Sequence, residues 1–325
     1  MEDIYTYFYN AAGEDREISL QEIDLSKLQE NNLLFINILK RDETVIGKVV
    51  ERLKCDSIPV RSILERNTRP KFNRYDLFYH FSITSVSIDE TGWLIPIPID
   101  FLVGKNFVIT VHDGEVPYFR EFREQDKAET QIGELDAESF VAALLDMHIV
   151  TYFRALETIE EKVDRMDVLV LRKDLEDEEF LRETVRLKNS VARLRRWFLP
   201  HREVFYALSR PDFQPVSQLE PVADYQFLTQ HFENAVDAIE ASRDTVLSLF
   251  DLYTTRAAHK MNNFIKRLTF ITIIIGTLGA VAGLLGMNFE LEIFKTAERG
   301  FWMTIVGMSA FVLISVALGK FFRWF

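Results

Sequence analysis

The chain has 325 residues, and 50 Asp and Glu against 38 Lys and Arg leave a net charge of −12. That balance excludes a nucleic-acid partner, which would need a surplus of cations facing phosphate. Cys55 is the only cysteine, so neither a disulfide framework nor a Cys-based zinc cluster can form within one chain.

The first residues, MEDIYTYFYN, carry no basic n-region and no apolar h-region, so no cleaved signal peptide is expected. Residues 1–131 read as a cytoplasmic α/β domain. Extended, β-branched and aromatic stretches recur at Leu33–Leu39, Asp76–Ile88, Gly92–Ile99 and Asn106–His112. Short helices are predicted at Glu43–Leu53 and Ser62–Arg66, with turns at Gly104-Lys105 and Asp113-Gly114. Pro96 and Pro98 cannot donate to a ladder, which makes Ile95–Ile99 an edge strand at best.

Residues 132–221 change to long helices. One helical run covers Ala137–Arg172 and is closed by Asp174, Glu176, Asp177, Glu178 and Glu179; a second extends to about Arg210. Within it, Arg193, Arg195 and Arg196 read as a solvated or interface face rather than a phosphate site. Pro211, Pro215 and Pro221 then break the chain. All nine prolines lie at or before Pro221, which permits one helix from Val222 to Met287, about 100 Å long at 1.5 Å per residue. No globular domain holds such a helix internally. It reads as a stalk, 222–267, entering a membrane.

Leu268–Met287 and Phe301–Gly319 contain no charged residue, and each is about as long as a bilayer core is thick. Trp302 and Trp324 sit near the ends of the second span, as interfacial aromatics do. Arg256, Lys260, Lys266 and Arg267 precede the first span, and Lys320 and Arg323 lie in the tail, 320–325. The connector, 288–300, carries Lys295 and Arg299 against Glu290, Glu292 and Glu298. The excess of cations at the outer ends of the pair places both termini in the cytoplasm, with the chain in the cell (inner) membrane.

Two stripes run along the stalk. Tyr225, Leu228, Phe232, Ala235, Ile239, Ser242, Val246, Leu249 and Tyr253 alternate in steps of three and four, the seam of a left-handed packed helix. A second face carries Asp237, Asp244, Asp251, Thr255, Ala258, Asn262, Ile265, Thr269, Thr272, Gly276, Gly279, Gly283 and Gly286. Small residues at this spacing mean either close helix packing or the wall of a narrow conduit between copies. The aspartates alone are also compatible with a solvated face. Continuity favours the conduit, because the same face carries Asp251 and Asn262 before the span and Asn288 just past it. Two spans cannot enclose a pore, so the chain must then form a cyclic homo-oligomer in the lipid bilayer.

Gly286-Met287-Asn288 at the far end of the penultimate span resembles the signature of the CorA family of divalent-cation transporters. Phe250-Asp251-Leu252-Tyr253 followed by Asn262 resembles the family's stalk-to-pore junction. Arg69-Pro70-Lys71 leading to Tyr75-Asp76, and Gly104-Lys105-Asn106-Phe107-Val108-Ile109-Thr110-Val111, resemble its N-terminal patterns. The resemblance implies a funnel-shaped homopentamer with an α/β cytoplasmic domain, a long helical stalk and two C-terminal transmembrane helices, the first lining the pore. It puts the selectivity filter at Gly286, Met287 and Asn288, the intracellular acidic ring at Asp251 with Asp244 before it, and the polar pore entry at Asn262. Ile265 and Leu268 become gate candidates, because Gly276 and Gly279 stand where many members carry bulkier or hydroxylated residues. Glu290, Glu292 and Glu298 would concentrate cations at the mouth.

The activity so implied is passive, potential-driven influx of hydrated Mg²⁺, gated by the internal divalent ion, with no cofactor. Leu285 stands where an aromatic residue often precedes the family signature; Met287 leans towards magnesium, while a connector without Met-Pro-Glu-Leu leans away. Zn²⁺, Co²⁺ or Ni²⁺ transport, with or without protons, therefore stays open. So does a membrane-anchored structural coiled coil. The six histidines are dispersed and form no HExxH. No P-loop, nucleophile elbow or dinucleotide fingerprint occurs, so an enzyme is not expected.

Overall fold

The computed structural model describes residues 4–10, 16–23, 28, 32–53, 58–65, 69–89, 92–125, 136–170, 177–210, 213, 225–287 and 297–321. The chain divides into two compact units, Met1–Leu249 and Phe250–Phe325. Unit 1 is built on a seven-stranded sheet of β1 (Ile4–Asn10), β2 (Arg16–Glu17), β3 (Asn32–Ile38), β4 (Lys71–Arg74), β5 (Phe78–Ile88), β6 (Leu94–Gly104) and β7 (Phe107–His112). The spatial order is β2-β1-β3-β7-β6-β5-β4. Every neighbouring pair is antiparallel except β3 and β7, which run parallel with Leu34 opposite Phe107 and Ile38 opposite Val111.

The central strands are apolar along their whole length because both sheet faces are covered. On one side lie α1 (Glu43–Leu53) and α2 (Val60–Leu64), where Ile46, Val49, Leu53 and Ile63 pack on Leu34, Ile36, Leu102 and Ile109. Asp42 starts α1 by accepting from the backbone N–H groups of Thr44 (2.9 Å) and Val45 (3.2 Å), which holds its carboxyl below the usual range. The other side carries α3 (Pro117–Gln125), α4 (Ala137–Val170), α5 (Asp177–Phe198) and α6 (Arg202–Leu208). There Phe35 meets Phe140 with ring centroids 5.1 Å apart. Helix α4 is apolar and long enough to span a bilayer, yet residues such as Phe140, Leu144, Ile149 and Tyr152 are buried within its own unit.

The prolines of β6 lie on a local edge, as expected, although the strand as a whole is interior. β6 is an interior strand, paired with β5 from Leu94 to Gly104, whereas β7 reaches it only over Ile99–Val103. The proline-bearing half extends past β7 and has one strand neighbour. Arg41 closes that margin: its Nη2 donates to the carbonyls of Pro98 (2.8 Å) and Val111 (3.2 Å), and its Nη1 donates to Asp100 Oδ2 (2.5 Å) and to the Ile63 carbonyl. The Arg41 side chain is 2% exposed, and Asp100 also pairs with His80 at 2.7 Å.

The single helix expected past the last proline is α7, Tyr225–Gly286; residues 222–224 lie outside the described ones. Its heptad seam is buried from Tyr225 to Leu249. Phe232 stacks on Phe205 (4.7 Å) and Phe198 (4.8 Å), His231 meets Asp146 (2.7 Å), and Ser242 donates to Glu160 (2.8 Å). Of the arginine cluster on α5, Arg193 lies 4.9 Å over Trp93 and Arg195 pairs with Glu240, so both serve packing inside the unit.

Two dispersed histidines meet in this core. The rings of His148 and His201 are fully buried with centroids 5.0 Å apart. His201 accepts from the Thr84 N–H through Nε2 (2.8 Å) and donates from Nδ1 to the Phe198 carbonyl (2.7 Å), which defines a neutral ring. Burial pushes its pKa down to about 4. Both nitrogens of His148 are buried without a hydrogen-bond partner among the described residues, and burial, with His201 beside it, pushes its pKa well down.

Candidate ion pathway on helix α7

Unit 2 holds the rest of α7 and α8, Ala297–Phe321. Both stretches are long and apolar enough to cross a membrane. Between Leu268 and Met287, Phe270, Ile274 and Leu278 are the half-buried residues, one row at a spacing of four, while the others are exposed. On α8 the matching row is Thr304, Met308, Val312, Ser315 and Gly319. Rows of this spacing are the ridges by which helices pack, so α8 covers one face of α7.

The small-residue stripe lies on the other side. At about 100° per residue, Thr269, Thr272, Gly276, Gly279 and Gly283 point roughly 140–180° away from Ile274. A Cβ built on Gly276, Gly279, Gly283 or Gly286 would meet nothing within 4 Å. Close packing against α8 is therefore excluded as the reason for these glycines. The three glycines in the helix interior, Gly276, Gly279 and Gly283, cost about 2–3 kcal/mol relative to alanines, and no contact among the described residues offsets that. The Thr272 hydroxyl donates to the Leu268 carbonyl at 2.8 Å, so it stays with its own helix.

The remaining sequence-predicted residues fall as follows. Ile265 and Leu268 are 51% and 53% exposed, Ile265 on the stripe and Leu268 at its margin. Asn262 and Asp251 are exposed on the same helix. The Asp251 carboxylate has no ion pair among the described residues, whereas Asp244 lies 3.6 Å from Arg243. Met287 is exposed, and its N–H donates to the Leu284 carbonyl at 3.3 Å as the helix ends. Glu298 stands in the first turn of α8, where a carboxylate faces the positive end of the helix. Asn288, Glu290 and Glu292 lie outside the described residues. Among the described residues no three His, Cys, Asp or Glu side chains converge.

One feature had no clear sequence signal. Arg267, noted above only as flanking charge, lines a groove of about 530 Å³ with Phe270, Ile271, Ile274, Ile275 and Val316. Its two walls come from helices about fifty residues apart in sequence, and only their pairing brings them together.

The family described as CorA-like Mg²⁺ transporter protein matches residues 30–319. A relative, the cobalt/magnesium transport protein CorA of Thermotoga maritima, is 27% identical over 293 residues, 89% of this chain and 83% of that protein. Among solved structures, the complete CorA magnesium transporter of Methanocaldococcus jannaschii superposes with a TM-score of 0.80 at 17% identity, covering 98% of each chain. The full-length CmaX protein gives 0.72 at 18% identity over 100% and 99%. These likenesses share the mixed sheet, the long helix and the C-terminal helices of this chain. The chain belongs to the CorA-like Mg²⁺ transporter family and is a divalent-cation transporter of the membrane.

Proposed function

We propose that five copies of this chain form a ring in which α7 lines a conduit for hydrated Mg²⁺, with both termini in the cytoplasm. One observation carries the reading: the Thr269–Gly286 stripe faces away from α8 and is open at every glycine. A line that is small and polar, and that its own chain leaves uncovered, suits a wet axis.

Mg²⁺ gives up its first-shell water reluctantly and prefers oxygen ligands. A ring of Asn288 amides at the Gly286-Met287-Asn288 corner would bond to that water shell and select by size and donor pattern, without an anionic trap. Glu290, Glu292 and Glu298 would raise the local cation concentration. Moving a divalent ion inward gains about 4.6 kcal/mol per 100 mV of potential, so no chemical energy source is required. Asp251 side chains brought together in a ring would repel one another. Internal Mg²⁺ would offset that repulsion and favour the closed state, with Ile265 and Leu268 as the constriction.

A second reading keeps the architecture and changes the ion. The Thermotoga maritima relative is named for cobalt as well as magnesium, and the connector departs from the magnesium pattern. The test is uptake by purified protein in liposomes, offered Mg²⁺, Co²⁺, Zn²⁺ and Ni²⁺ separately, with and without a proton gradient. Preferred Mg²⁺ uptake that needs only a potential supports the proposal. Uptake of a softer ion alone, or only with a proton gradient, replaces it with the second reading.

A further inference from the structure

The groove on unit 2 is apolar along Phe270, Ile271, Ile274, Ile275 and Val316 and ends at Arg267. It is centred on the α8 side of α7, around Ile274, while Ile275 on its rim stands about 40° from Gly279 and borders the stripe. Lys320 follows Val316 by one helical turn, on the same face of α8 and toward the Arg267 end. Two cations thus stand at one end of an apolar trough that runs about 12 Å along α7, enough for part of a hydrocarbon chain.

Neither cation is paired with a carboxylate among the described residues, and both spans lack Asp and Glu altogether. The nearest acidic residue before Arg267 on α7 is Asp251, more than four turns away. A second copy of this chain packed into the groove would bring further cations such as Lys266 and Lys320, and no carboxylate, to the depth of Arg267 and would leave its charge uncompensated, a costly arrangement. A lipid brings both parts at once: an acyl chain for the trough and a phosphate for the cations.

We propose that this groove is a binding site for an anionic phospholipid of the leaflet on the Arg267 side, with its phosphate on Arg267 and Lys320 and one acyl chain along Ile271, Ile274, Ile275 and Val316. The Arg267 guanidinium can hold phosphate oxygens in a bidentate fork, while Lys320 adds a point charge. Zwitterionic lipid of the same chain length fits the trough but presents a neutral headgroup.

The test uses the full-length protein, delipidated in detergent and titrated with phosphatidylglycerol or phosphatidylcholine of identical acyl chains, with bound lipid counted by native mass spectrometry. Phosphatidylglycerol should bind more tightly. Each of Arg267→Gln and Lys320→Gln should weaken it about fivefold, and the pair roughly 25- to 30-fold, at about 1 kcal/mol per cation near an anionic headgroup. Phosphatidylcholine binding should hardly change in either variant. A photo-crosslinker at Ile275 should trap lipid. Equal phosphatidylglycerol affinity in the double variant overturns the proposal, as does crosslinking from Ile275 mainly to α7 or α8 of another copy. These readouts do not depend on ion flux, so failure of the transport reading would leave them intact.

Discussion

Replacing Gly276, Gly279 and Gly283 together by alanine separates the two meanings of the small-residue stripe by the sign of the effect. No Cβ at these positions meets another atom of the chain, so the substitution adds no clash within a protomer. If the stripe borders water, each alanine should stabilise the helix by about 0.8–1 kcal/mol, or 2–3 kcal/mol in all. If the glycines instead let α7 of one copy press on another, each added methyl overpacks a tight contact at a cost of about 1–3 kcal/mol. The triple variant would then lose several kcal/mol and come apart.

The assay is thermal unfolding of the detergent-solubilised protein, with light scattering to follow assembly, beside Mg²⁺ uptake into liposomes. The conduit predicts an unchanged or higher melting temperature and an intact oligomer. It also predicts that Gly279→Leu, whose side chain would project into the open space, blocks flux while leaving assembly alone. A triple-alanine protein that dissociates would refute the reasoning, as would Gly279→Leu conducting like the parent.

Four further outcomes follow from named contacts. Asn288→Ala should abolish selective flux of the preferred ion, and retained selectivity in liposome uptake would remove the amide ring. Asp251→Ala should leave influx running but free it from inhibition by Mg²⁺ loaded inside the vesicle; unchanged inhibition would show that this carboxylate does not gate. Arg41→Ala leaves Asp100 buried with His80 alone and frees two strand carbonyls, so urea unfolding should show a loss of about 3 kcal/mol; a loss under 1 kcal/mol would mean that the pin is dispensable. His201 takes up a proton near pH 6.5 when unfolded but only at about 4 when folded. Its contribution is therefore complete above pH 6.5 and fades as pH falls toward 4, by up to about 3 kcal/mol. His148 acts with the same sign, so His148→Leu should flatten the acid limb of a stability-against-pH curve, and an unaltered limb would show that acid unfolding starts elsewhere.

What the sequence made legible is what depends on local period. The seam from Tyr225 to Leu249 follows steps of three and four, and each of those residues is buried. The glycine stripe could be assigned a face for the same reason. Strands β1 and β4 escaped notice for different reasons: β4 is a four-residue edge strand, and β1 has only Thr6 and Tyr9 buried among the residues between Ile4 and Asn10, so it lacks clean alternation. The parallel pairing of β3 with β7 and the interior place of β6 depend on non-local partners. Arg41 lies 57 residues from Pro98 and 59 from Asp100, and no pattern along the chain announces that such a side chain will stand in for a missing strand.

The same helix also supports the proposal that the pathway is shared between several chains. Up to Leu249 the seam of α7 is buried by its own unit. From Phe250 to Thr269 almost every residue is exposed on all sides, including Phe250, Leu252, Met261 and Phe264, the last at 62%. A helical stretch of that length so little covered among the described residues is marginal in water, and large apolar side chains facing out in this number mark a contact surface. Asp251 and Asn262 belong to this uncovered segment. Partners for it that are copies of the chain would bring those two residues into rings by symmetry, which a single protomer cannot do. Its stability should therefore depend on protein concentration, and the exposed row should become protected from solvent labelling only in the assembled state.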